Sequence, residues 1–68
     1  MTRDQVMIAL NEGIPFAVNM ADGRQYRVTD RYQVAVGPTR IVVIDEKGLA
    51  HVLPLLTMTG ISYLATGN

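Results

Sequence analysis

The sequence contains no cysteine and no tryptophan, and only one histidine, His51. Without cysteine there is no disulfide to constrain the unfolded chain and no thiolate to hold zinc, a pattern that fits a reducing compartment. One histidine with no carboxylate cluster around it in sequence does not make a metal site. An excess of charge is missing too, since six basic side chains balance six acidic ones. The net basic footprint usual for a nucleic-acid binder is therefore absent, and so is the polybasic signature of a membrane-surface protein. No apolar run approaches the ~20 residues of a membrane-spanning helix. Arg3, Asp4 and Glu12 interrupt the apolar pattern of residues 1–15 in a way a signal peptide does not. These absences lead to the expectation of a cytoplasmic chain with no membrane partner. Catalytic patterns are lacking as well. There is no phosphate-cradling glycine loop, Ser62 has no nucleophile context, and His51 has no recognisable acid or base partner. The expectation is a non-enzyme that carries no cofactor and no metal.

What is present is an apolar surplus. Hydrophobic residues make up 49% of 68 residues, although a chain this short forms one domain and buries only about 60% of its unfolded surface. Domains of this size usually gain support from disulfides, a metal or a partner subunit. With the first two set aside, self-association is the expected support, and the chain is read as a homo-oligomer that can also engage another protein.

Along the chain, Thr2-Arg3-Asp4-Gln5 has the form of a capping box. Val6, Met7, Leu10 and Ile14 follow at helical spacing, and Gly13 with Pro15 supplies a stop. The spacing predicts a helix over about 3–12. At Phe16 the period becomes two: Phe16, Val18 and Met20 alternate with Ala17, Asn19 and Ala21 until Asp22-Gly23, a hairpin signal in which both turn residues are expected at positive φ. Tyr26 and Val28 continue the pattern on the return strand. Asp30-Arg31 reads as a bend within that strand, since Tyr32, Val34 and Val36 alternate again before Gly37-Pro38 turns the chain. Ile41-Val42-Val43-Ile44 is apolar on both faces and implies burial on both sides. Asp45-Glu46-Lys47-Gly48 is a four-residue hairpin loop with glycine at its left-handed position. Leu49, His51, Leu53 and Leu55 alternate up to Pro54, which marks an edge or an end. Thr57 to Gly60 is expected as a tight corner, Ile61 to Leu64 as a closing strand, and Ala65 to Asn68 as a loose tail. The fold expected is mainly β, of α+β class: a helix, then a strongly bent antiparallel barrel of five strands over about 15–64.

This element order resembles the small five-stranded barrel of the Sm/Hfq or SH3-like kind. Pro15-Phe16, Asp22-Gly23-Arg24, Tyr26-x-Val28, the valine-rich third strand, and Leu55 with Ile61 resemble a pattern in short uncharacterised bacterial proteins, which brings no activity with it. The Sm resemblance implies RNA binding where its motifs are kept. Asp30, Tyr32 and Gln33 are similar to the first Sm motif with the spacing one residue short. Thr59-Gly60-Ile61 keeps the glycine of the second motif and lacks its arginine, and the Lys-His pair of the Hfq branch is absent.

Two groups of residues are candidate sites. Arg24, Arg27, Arg31 and Arg40, with Tyr32, Gln33 and Tyr26 nearby in sequence, could pair phosphates and stack bases. The plainer reading gives the arginines solvated outer positions with Asp22 and Asp30 as partners, and it carries more weight because the chain has no net basic charge. Val42 or Ile44, whichever faces outward, joined by Leu53 and Leu55, could form an apolar oligomer interface. The competing reading is that the helix covers this stripe within one subunit. Tyr26 and Phe16 are expected in the core and His51 in a structural or interface role, while Asp45 and Glu46 are expected to solvate their loop. The function expected is a self-associating barrel module that binds another macromolecule. An Sm-like RNA binder is the alternative, and a small-ligand barrel is a poorer third because so small a barrel fills its interior with side chains.

Overall fold

Helix α1 spans Arg3–Glu12 in the computed structural model, which describes residues 1–64; the tail expected at Ala65 to Asn68 lies outside the described residues. The Gln5 side chain reaches back to accept from the Thr2 main-chain amide at 3.2 Å. Gly13, at φ 72°, ends the helix and donates to the Leu10 carbonyl. The helix buries Val6 and Ala9, with Leu10 partly covered beside them. Met7 and Ile14, expected on the same stripe, are substantially exposed. The inward stripe is narrower than the sequence implied because only the 6–9–10 spacing meets the sheets.

Six strands follow: β1 Phe16–Met20, β2 Gln25–Val28, β3 Val34–Val36, β4 Arg40–Ile44, β5 Ala50–Pro54 and β6 Met58–Tyr63. They form two three-stranded antiparallel sheets, sheet A in the order β2-β1-β6 and sheet B in the order β3-β4-β5. The single bent barrel of five strands is therefore replaced by two small sheets, with no ladder between them among the described residues. The difference arises at the position read as a bend. There Arg31–Gln33 form a 3-10 turn in which Asp30 Oδ1 accepts from the Tyr32 amide (2.9 Å). The Gln33 carboxamide oxygen accepts from the amides of Thr29 (2.8 Å) and Asp30 (2.9 Å). The turn halts one strand and starts another in the second sheet. A second 3-10 turn, Leu55–Thr57, carries the chain back to sheet A, and β6 begins at Met58, earlier than expected.

The two hairpin loops share one geometry. Gly23 donates to the Met20 carbonyl and Met20 to the Arg24 carbonyl; Gly48 donates to the Asp45 carbonyl and Asp45 to the Leu49 carbonyl. In both loops only the glycine has positive φ, 89° at Gly23 and 83° at Gly48. Each is a tight turn closed by a glycine bulge, so Asp22 does not adopt the left-handed conformation expected of it.

The core lies between the sheets and is closed at one end by α1. Phe16, Val18 and Val28 from sheet A meet Ile41, Val43 and Leu53 from sheet B, with Leu55 and Met58 at the corner. Each such side chain contributes about 1.5–3 kcal/mol when fully buried, which is how a chain this short holds two sheets together.

Candidate functional site

Strand parity makes the outer faces of the two sheets chemically unlike. Ile41 and Val43 point inward from β4, so Val42 and Ile44 point outward. The β4–β5 register pairs Val42 with Val52, Ile44 with Ala50 and Arg40 with Pro54, and the β3–β4 register pairs Ala35 with Val42. The outer face of sheet B therefore presents Ala35, Val42 and Val52 in one cross-strand row, flanked by Ile44, Ala50 and Pro54, with Arg40 as its one charged member. Val52 is 56% exposed and Ile44 42%, and Leu56, just past the end of β5, is 93% exposed. Helix α1 leaves this face open, because its buried residues join the core between the sheets.

Leu53 and Leu55, expected on this outer stripe, are instead core residues at 4% and 6% exposure. The reason is register. The glycine-bulge loop pairs Val43 with His51 and Ile41 with Leu53, which sends the odd-numbered residues of β5 inward with the odd-numbered residues of β4. The outward partners of Val42 and Ile44 are thus Val52 and Ala50. The Asp45–Gly48 loop held the signal for them, since a four-residue loop closed by a bulged glycine sets which residues lie opposite.

Sheet A carries a polar outer face. Gln25 Nε2 donates to Asn19 Oδ1 (2.7 Å), and Asn19 Nδ2 donates to Ser62 Oγ (2.8 Å), giving a row of side-chain hydrogen bonds across β2, β1 and β6. Arg27 lies on this face beside Ala17, its cross-strand partner.

Between β2 and the β4–β5 hairpin lies a groove of about 390 Å³, lined by Tyr26, Arg27, Asp45, Lys47, Leu49 and His51 among others. His51 Nε2 is 2.8 Å from Asp45 Oδ2, and the His51 ring lies against Tyr26 with centroids 5.0 Å apart. Asp45 Oδ1 also accepts from the amides of Lys47 and Leu49, both at 2.9 Å. The His51 hydrogen bond, followed by the Leu49 amide, holds the Asp45 carboxyl below its ordinary value. At the β1–β2 turn, the Arg24 guanidinium is held above its ordinary value by the Tyr26 hydroxyl first and by Asp22 after it. Asp45 thus does more than solvate its loop: it organises the turn and anchors His51.

No family model, curated protein or solved structure matches the chain.

The residues singled out for nucleic acid are dispersed. Arg31, Tyr32 and Gln33 share the 3-10 turn, and Tyr32 is 88% exposed. Gln33 is spent on structure, since its oxygen serves the Thr29 and Asp30 amides and the Thr29 hydroxyl while its nitrogen donates to the Ile44 carbonyl. That last bond places the turn at the end of β4 opposite Arg40, about 13 Å away along the strand. Arg24 sits at the β1–β2 turn with Asp22 as its ion partner at 3.7 Å, and Arg27 lies on the outer face of sheet A. Among the described residues no group of three or more histidine or acidic side chains is placed to hold a metal ion, and no helix is long and apolar enough to cross a membrane.

Proposed function

We infer that this chain is a non-enzymatic interaction module built from two small β-sheets, which self-associates through the outer face of sheet B and binds a further macromolecule elsewhere on its surface. The observation that carries the reading is the contrast between the two outer faces. Sheet A satisfies its outward side chains with a hydrogen-bonded polar row, whereas sheet B turns valine, isoleucine, alanine and proline to solvent. A contiguous apolar face on so small a domain is usually a contact surface. Similarity to the Sm and SH3-like barrels is supported by the element order, in particular by β6 returning across the second 3-10 turn to pair with β1.

Light scattering at micromolar concentration tests the reading. The expected result is a mass above that of one chain, reduced to a monomer by Val52→Lys. Covering a half-exposed valine contributes about 1 kcal/mol, and lysine adds a charge to be desolvated, so association should weaken at least tenfold. Val52 is exposed on an edge strand, where lysine is a common guard, so the fold should be kept. A strict monomer for the unaltered chain would remove the self-association half of the proposal.

An Sm-like RNA binder is the second reading. It is favoured by the exposed Tyr32 ring next to Arg31 on one turn, an arrangement suited to stacking a base beside a phosphate contact.

A further inference from the structure

We propose that the second copy on the outer face of sheet B stacks with its strands antiparallel to the first, so that Arg40 of each chain enters an acid-lined hollow at the far end of its partner's face. The proposal rests on the self-association reading above and adds to it the orientation of the two copies and the charged contacts that fix it.

The hollow lies where the Arg31–Gln33 turn meets the end of β4. It has a volume of about 460 Å³ and is lined by Asp30, Tyr32, Ile44, Asp45 and Glu46, and its remaining lining residues are uncharged. No lysine or arginine lines it: Arg31 lines a separate hollow beside α1, and Lys47 lines the groove beside β2. Asp45 is engaged by His51, and Asp30 gives one oxygen to the Tyr32 amide. Glu46 is exposed and has no ion-pair partner among the described residues. The Tyr32 ring, 88% exposed, offers a face on which a guanidinium can rest.

An acidic hollow alone selects no occupant, but the face that adjoins it does. Arg40 is the one charged side chain of that face, and it stands about 13 Å along β4 from Ile44 on the rim of the hollow. It too is exposed and without an ion-pair partner among the described residues. The face therefore runs from a base at one end, through Val42 and its neighbours, to acids at the other. This is a self-complementary pattern, as a two-fold contact requires.

Stacked sheets lie about 10 Å apart with their strand directions within about 30° of one axis, which leaves two ways of laying sheet B on its copy. With the strands parallel, Arg40 would meet Arg40 and hollow would meet hollow, like charge against like. With the strands antiparallel, Val42 rests on Val42 near the two-fold axis. Arg40 of the partner subunit then lies over Ile44 and reaches the hollow, and the same contact is made a second time. The apolar strip alone, three strands by five residues, is about 14 Å wide and 17 Å long. That is small against the ~800 Å² each partner buries in a stable contact, so contacts at both ends of the strip are needed as well.

The test measures association of Arg40→Glu and Glu46→Lys by light scattering, each alone and the two mixed in equal amounts. Each alone should associate at least tenfold more weakly than the unaltered chain, because like charges then meet at both ends. The mixture should regain association. There the two substituted positions face each other with opposite charge, while the untouched Arg40 of one chain meets the untouched Glu46 of the other. Arg40→Gln, which removes the charge without reversing it, should fall between. Both positions are exposed, and nitrogen-15 spectra check that each variant keeps its fold. Single variants that associate like the parent, or a mixture no tighter than its components, would overturn the orientation and leave self-association through Val42 and Val52 standing. A strictly monomeric parent would remove both.

Discussion

Asp45 shows how much one side chain can hold. One carboxylate oxygen accepts two main-chain amides of its own loop, and the other meets His51 across the hairpin. These bonds favour the charged form, which is why its pKa falls below the ordinary 3.8. A carboxyl whose folded pKa is depressed contributes stability that is present above its unfolded pKa and is lost as pH falls through the folded one. Thermal melts from pH 6 down to pH 2 should therefore show Asp45→Asn less stable than the unaltered chain above about pH 4, with the gap closing at lower pH. A variant matching the parent at pH 6 would show that the loop does not depend on this charge. Tyr63 is a second case: its hydroxyl donates to Glu12 of α1, and that contact raises its pKa.

Among the elements, the 3-10 turn Arg31–Gln33 has the largest consequence, because it divides one expected strand between two sheets. Gln33 is its keystone, accepting from the amides of Thr29 and Asp30 and donating to the end of β4. Removing a capping side chain of this sort costs about 1 kcal/mol. Gln33→Ala should accordingly lower Tm by roughly 4–8 °C in a domain of this size, with Gln33→Glu falling between the two because it keeps the acceptor and loses the donor to Ile44. An unchanged Tm for the alanine variant would mean that the corner is held by backbone packing alone. The turn was hard to read in sequence because Tyr32, Val34 and Val36 keep the alternation of a strand while Asp30 and Gln33 supply a cap; both patterns are present, and the pairing of Val34 with Val43 decides between them.

At the scale of the whole molecule, the two sheets divide the surface into one polar and one apolar outer face, and the arginines are spread over several parts of it. Arg40 lies at one end of β4 and the Arg31–Tyr32 turn at the other. The two readings of function consequently make different predictions about salt. An RNA binder should lose affinity steeply as salt rises, and Arg27→Ala or Arg31→Ala should weaken binding and flatten that slope by about one unit. Absence of any shift with an RNA pool at low salt would dispose of that reading, and it would leave self-association through Val42 and Val52 untouched, since apolar contacts are insensitive to screening.

The sequence by itself determined where the chain stops being helical, at Gly13, and where two-residue alternation begins, at Phe16. It also located both glycine-closed hairpin loops and the absence of any thiol. These are local properties, carried by residues within a few positions of one another. Only the tertiary structure decided which side of Ile41-Val42-Val43-Ile44 is core, because a run apolar on both faces satisfies either choice until the helix and the opposite sheet occupy one of them. For the same reason it alone moved Leu53 and Leu55 inside and left Val52 at the surface.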